Sequence, residues 1–151
     1  DYVWLEVLRA TGVVSFGMHL ESADPLVRAR IMPGKARVPL SDYYQAFESA
    51  VRVFGRGQVS TYLLAGLGDS QETLLEMCDR LIDLGVYPFV VPFVPIVGTP
   101  LADQAPPDSD FMFALYQSIG ERLKRANLRS ADMKAGCGKC GACSALSAFE
   151  S

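Results

Sequence analysis

The stretch between Gly85 and Gly98 constrains this chain most, because Tyr87 to Pro95 is apolar nearly throughout. A strand with one face in water alternates polar and apolar residues, whereas a continuous apolar run suits burial on both faces. Such strands belong to parallel sheets, whose crossovers lay helices over the sheet. The neighbouring segments agree. Gln58–Leu67 reads as another strand, and so does Val13–Leu20, with its β-branched and aromatic residues. Between them lie segments with helical spacing. Ser41 opens one that runs through Tyr44, Phe47, Ala50, Val51 and Phe54 to Gly55. Asp69 or Ser70 caps a second, carrying Leu74, Leu75, Met77, Cys78, Leu81 and Ile82 and ending at Gly85.

Three further helices are expected. One covers Tyr2–Ala10 and stops at Gly12; one starts at Ser22, Asp24 and Pro25 and stops at Pro33-Gly34; one covers Ser109–Asn127 after a Pro- and Asp-rich loop, Gly98–Asp110. The order predicts an α/β fold with parallel strands and right-handed crossovers. The pattern fits either an open doubly wound sheet or part of a barrel. In both, loops at the C-terminal ends of the strands form the functional rim.

Composition narrows the function. A chain of 151 residues is long enough for one core, and a net charge of −3 with no basic run argues against nucleic-acid binding. The longest apolar stretch, Val86–Gly98, is short and interrupted by Pro88, Pro92 and Pro95, which argues against a membrane span. The opening residues lack a basic segment followed by a small-residue cleavage site. The expected compartment is therefore the cytoplasm. The first residue is Asp1 rather than Met, so the expectation is a piece of a longer polypeptide.

Three rim segments carry chemistry. After the first strand, Glu21 in Met18-His19-Leu20-Glu21-Ser22 stands where a carboxylate can face a ligand. After the second, Ala65-Gly66-Leu67-Gly68-Asp69-Ser70 combines two glycines, which permit close approach to the backbone, with the free N–H groups of a helix start. After the third, Val94 and Ile96 end an apolar strand before the Gly98-Thr99-Pro100 turn. A carboxylate, backbone donors and an apolar wall suit a zwitterionic ligand with a flat ring; a phosphate site at the glycine turn is the competing reading. Mid-strand His19 reads as a pocket-wall or satisfied core residue, and Cys78, on an apolar helix face, as a core thiol.

The sharpest local signal is Cys137-Gly138-Lys139-Cys140-Gly141-Ala142-Cys143. CxxCxxC spacing lets successive thiolates converge on one centre, and the glycines permit the turns around it. Three thiols in seven residues, with no secretory signal, point to metal binding before disulfides. The leading reading is an auxiliary iron–sulfur cluster, then zinc, then a flexible redox-sensitive tail. Metal sites usually want four ligands; Asp132, a substrate atom or a residue elsewhere in the polypeptide would supply the fourth, whereas His19 belongs to the rim.

Read together, the rim segments resemble the radical S-adenosylmethionine (radical SAM) superfamily, particularly its branch similar to biotin synthase. The matching runs are His19-Leu20-Glu21-Ser22, Arg30-Ile31-Met32-Pro33-Gly34-Lys35, Thr61 through Ser70, and Pro95-Ile96-Val97-Gly98-Thr99-Pro100-Leu101. The resemblance implies the C-terminal half of a partial (β/α)₆ TIM-like barrel over residues 1–127, with residues 128–151 as a Cys-rich metal-binding tail. It implies that Glu21 helps hold S-adenosylmethionine and that Arg37 meets its carboxylate. Gly66, Gly68, Asp69, Val94 and Ile96 would border the adenosine. The implied reaction is reductive cleavage by a [4Fe–4S] cluster to a 5′-deoxyadenosyl radical that abstracts hydrogen from a small-molecule substrate, with an electron donor such as flavodoxin or ferredoxin. The CxxxCxxC run that holds the catalytic cluster in that family is absent here, so no catalytic residue is assigned and the chain alone is expected to be inactive. A half barrel is also expected to self-associate or to pair with the missing N-terminal part. Two other readings stay open: a non-catalytic metal-binding or interaction module on a βα scaffold, and a fragment of a phosphate-binding TIM-barrel enzyme.

Overall fold

A computed structural model describes residues 2–151. Three parallel strands, β1 (Phe16–Gly17), β2 (Val59–Ala65) and β3 (Val86–Pro92), form one sheet in the order β1-β2-β3. The helices are α1 (Val3–Ala10), α2 (Pro25–Ile31), α3 (Pro33–Ala36), α4 (Leu40–Phe54), α5 (Gln71–Leu84), α6 (Ser109–Ala126) and α7 (Cys137–Cys140), with 3₁₀ turns at Ser130–Asp132 and Leu146–Phe149. The fold is thus α/β with a three-stranded parallel sheet. Among the described residues no helix is long and apolar enough to cross a membrane.

Helix boundaries follow local chemistry. Asp24 caps α2 by accepting from the Leu26 and Val27 N–H groups, with Pro25 in the first turn. Ser70 caps α5 through the Thr73 N–H, and Gly85 closes it in the left-handed region at φ +84°. Asp108 caps α6 through the Phe111 N–H. α4 starts at Leu40 rather than Ser41, and no side chain caps it.

The strands are shorter than their apolar runs. β2 ends at Ala65 because Gly66, at φ +103°, turns the chain out of the sheet. β3 follows suit. Its last bond to β2 is Phe93 N–H to Ala65 O at 2.8 Å, and beyond it Val94, Ile96 and Val97 lie exposed in a loop. β1 is reduced to two residues of the expected eight-residue segment, for a reason that belongs to the site below.

The two sheet faces differ. Val59, Leu63 and Val90 are wholly buried in the same core as Phe47 and Ala50 of α4, Leu74 and Leu81 of α5, and Leu115, Ile119 and Leu123 of α6. Tyr62 points to the opposite face, where its ring meets His19 edge-on at 4.6 Å and Phe89 at 5.1 Å. Residues 128–151 pack down as well. Leu128, Met133 and Leu146 are buried, and so is Glu150, whose carboxylate accepts from Tyr87 O–H and from both the N–H and O–H of Ser130.

That carboxylate satisfies three buried donors on two segments, and removing it leaves all of them unpaired. Glu150→Ala should lower unfolding stability by about 2–4 kcal/mol in urea titrations. A change within error would mean that the tail does not contribute to the fold.

Candidate functional site

The chain before Glu21 bulges, and the bulge sets where Glu21 stands. Gly17 pairs with Ser60 and Glu21 with Leu63, so residues 17–21 are matched by residues 60–63, one fewer. Side chains fill the gap in the ladder. Thr61 Oγ1 accepts the Leu20 N–H at 2.9 Å, and His19 Nδ1 accepts the Tyr62 N–H at 3.2 Å. Backbone pairing then resumes, with Glu21 N–H to Tyr62 O at 2.8 Å and Leu64 N–H to Glu21 O at 2.7 Å. This explains why β1 is short, and a bulge is a known device for re-aiming a side chain at a site. Glu21 itself lies at φ +71°, a left-handed conformation that costs a residue with a Cβ about 1–3 kcal/mol.

Lys35 holds the Glu21 carboxylate. Its Nζ lies 2.5 Å from Oε1 and also donates to the His19 carbonyl at 3.1 Å, while both side chains keep partial exposure. Arg37 closes α3, is exposed, and has no partner among the described residues. Arg28 is structural: it is buried, donates to the Leu20 carbonyl at 2.9 Å and the Lys35 carbonyl at 3.3 Å, and lies over the Tyr43 ring.

Asp69 ties this corner to the next loop. Its Oδ1 accepts from Ser22 O–H at 2.9 Å, Ala23 N–H at 2.8 Å and Asp24 N–H at 2.7 Å; its Oδ2 is buried without a partner. The two nearby glycines hold left-handed backbone, Gly66 at φ +103° and Gly68 at φ +124°. A Cβ on Gly66 would lie 2.7 Å from Pro107, and one on Gly68 2.6 Å from the Arg30 guanidinium. Gln104 donates to the Gly66 carbonyl, and Arg30 to the Leu67 carbonyl at 3.1 Å. The loop after β3 therefore folds back over the loop after β2. Val94 and Ile96 remain open, each 66% exposed.

The cysteine segment spreads around the edge strand: Cys137 approaches the other face of the sheet, and Cys143 lines a pocket with Pro92, Met112 and Tyr116. Cys137 lines a cavity of about 160 Å³ with Gly17, His19 and Ser60. The Tyr62 phenol is held protonated, first by burial, then by a hydrogen bond with Cys137 and by the nearby thiols of Cys137, Cys143 and Cys140. All three thiols are exposed, whereas Cys78 is wholly buried and its thiol is pushed up by desolvation. Among the described residues no three His, Cys, Asp or Glu side chains converge as a metal site. Asp132 pairs with Arg129 at 3.3 Å. A larger cleft of about 720 Å³ runs between α1 and α4, and no rim residue lines it.

The rim residues fit S-adenosylmethionine in kind. A carboxylate suits its ammonium, the guanidinium of Arg37 suits its carboxylate, and exposed apolar side chains suit its adenine. Sequence reasoning did not single out Lys35, because nothing in the spacing of Glu21 and Lys35 signals an ion pair across a helix and two turns. It also placed no weight on Gln104 and Pro107, whose contact with Gly66 depends on the path of a loop.

No family model matches the chain. It is 29% identical over 123 residues to bacteriochlorophyllide c C-7(1)-hydroxylase of Chlorobaculum limnaeum, which covers 80% of this chain and 30% of that protein. It is 26% identical over 127 residues to the probable dual-specificity RNA methyltransferase RlmN of Moorella thermoacetica, covering 83% of this chain and 36% of that one. Both relatives are radical SAM enzymes. The likeness supports that superfamily, and with it an enzyme, at low identity. The chain spans about a third of the length of the curated relatives it matches.

His19 generates a pH dependence. Because a backbone N–H donates to Nδ1, the ring must be neutral with its proton on Nε2. Burial lowers its pKa below the ordinary 6.5, opposed by Glu21 and assisted by Lys35. The unfolded chain therefore takes up the proton first, and stability falls as pH drops from 6.5 through the folded value. His19→Gln should remove that part of the pH dependence in unfolding titrations, and an unchanged slope would place the titration elsewhere.

Proposed function

We propose that this chain is the C-terminal part of a radical SAM enzyme of the biotin synthase-like branch, and that its rim helps to bind S-adenosylmethionine. The observation that supports this most is the bulged, left-handed placement of Glu21 beside Lys35. A fold tolerates such backbone strain where the surroundings enforce it, and strained positions cluster at ligand sites. The distant likeness to two radical SAM enzymes points the same way.

In this reading Glu21 accepts the ligand's ammonium. Lys35, already on that carboxylate, keeps it oriented. Arg37 pairs with the ligand's carboxylate, for which a planar guanidinium is suited. Val94 and Ile96 pack on the adenine and keep water from it. Gly66, Gly68 and Asp69 act as the frame that holds these parts in register. The chemistry that S-adenosylmethionine supplies when bound is cleavage of a carbon–sulfur bond by an electron from a [4Fe–4S] cluster, leading to hydrogen abstraction from a small-molecule substrate. The 151 residues contain no CxxxCxxC run, so that cluster belongs to polypeptide outside them, as does reduction by a flavodoxin- or ferredoxin-like donor. The chain forms the C-terminal half of a partial barrel in this reading. On its own it binds without turnover.

Calorimetric titration with S-adenosylmethionine tests the reading. Glu21→Gln and Arg37→Ala should each weaken binding about ten- to a hundredfold, as loss of one charge-assisted hydrogen bond does. Unchanged affinity removes the residue from the site. Tight binding of inorganic phosphate, abolished by Gly68→Val, would replace this reading with a phosphate-binding one.

A further inference from the structure

The three tail cysteines need a reason to be where they are. Unpaired cysteines are among the most buried residues in proteins, and Cys78 follows that rule. Cys137, Cys140 and Cys143 are all exposed, so packing does not account for them. Nor do they sit on a loose arm. The segment is anchored before by Leu128, Ser130 and Met133 and after by Leu146 and Glu150, all buried. Ser144 O–H adds a 2.6 Å bond to the Val90 carbonyl of β3.

The local backbone is built to hold the thiols together. Cys137–Cys140 forms one helical turn, closed by Cys140 N–H to Gly136 O at 3.0 Å and Gly141 N–H to Cys137 O at 2.8 Å. Residues three apart on such a turn share a side. Gly141, left-handed at φ +69°, then turns the chain toward Cys143. Gly138 lies so close to Met133 and the Tyr87 ring that no Cβ fits, which seats the turn against β3.

We propose that Cys137, Cys140 and Cys143 bind an iron–sulfur cluster at the surface beside β3. This does not rest on the reading of the rim. The spacing C-x₂-C-x₂-C supplies three thiolates to one cluster in ferredoxin-type runs. A structural zinc site instead takes four ligands. Asp132 is already paired with Arg129, and His19 Nδ1 accepts from Tyr62 N–H. A four-iron cluster on three thiolates keeps one iron open to a small molecule or to a ligand from another part of the polypeptide. Among the described residues the three thiols do not converge, so binding a cluster requires the segment to rearrange around it.

The test is iron, zinc and acid-labile sulfide content, with a visible spectrum, on the chain purified without oxygen and reconstituted with ferrous iron and sulfide. The expected result is equal iron and sulfide, about four of each per chain. A visible absorption should bleach on reduction and be lost in Cys140→Ser but kept in Cys78→Ala. Alkylation read by mass spectrometry gives a readout that needs no variant: the three tail thiols should be protected only in the reconstituted chain. Zinc without sulfide overturns the proposal. So does a folded chain that takes up no iron, or a Cys140→Ser variant with its iron and sulfide unchanged.

Discussion

Asp69 Oδ1 accepts three hydrogen bonds from Ser22–Asp24 at 2.7–2.9 Å, and the placement of Glu21 depends on them. They bind the loop after β1 to the turn after β2. Glu21 precedes these donors directly and follows the side-chain-filled bulge at His19 and Leu20. Held at both ends, it stays in a conformation that an isolated chain would leave. The same carboxylate sits between the end of β2 and the cap of α5, so the helix start, the turn and the bulged strand share one polar joint. Its second oxygen is buried and unpaired, a cost that the three bonds on the first oxygen offset.

The sheet then divides the molecule's tasks. One face carries the apolar core with α4, α5 and α6, and gives the fold most of its burial. The other presents His19, Tyr62 and Phe89 as an aromatic surface, beside which the tail brings Cys137. The tail is held by the buried Glu150 carboxylate, by Gly120 of α6 against Phe149 and by Gly138 against Met133. His19 lines the cavity beside Cys137, and its Nδ1 bond from Tyr62 N–H is part of the bulge that aims Glu21.

Much of this was legible in the residues themselves, and the rest was hidden for specific reasons. Capping side chains announce themselves locally, so α2, α5 and α6 start where Asp24, Ser70 and Asp108 indicate. The run through Pro95 overstated β3, because a strand ends where its partner does, and β2 turns away at Gly66. The Val13–Leu20 segment reads as a continuous strand by composition. Its ladder breaks because a threonine hydroxyl and a histidine ring take backbone donors, which no periodicity reports. Glu21 was visible as a rim carboxylate, but its Lys35 partner is fixed by the path of α2 and α3. The tail's Gly, Ala and Ser content hid its few anchors: Leu128, Met133, Leu146 and Glu150 are too sparse to form a pattern. Whether Gly66 and Gly68 faced a ligand or a neighbouring chain segment also depended on where Pro107 and Arg30 lie.

The central claim is that the joint made by Asp69 sets up one binding rim from three separate loops. Amide chemical-shift mapping during titration with S-adenosylmethionine addresses it directly. The account predicts perturbations that saturate together in residues 19–22, 35–37, 65–69 and 94–97, leaving α1 and its cleft unmoved. Shifts confined to the cleft between α1 and α4, or none at any ligand concentration, would contradict it.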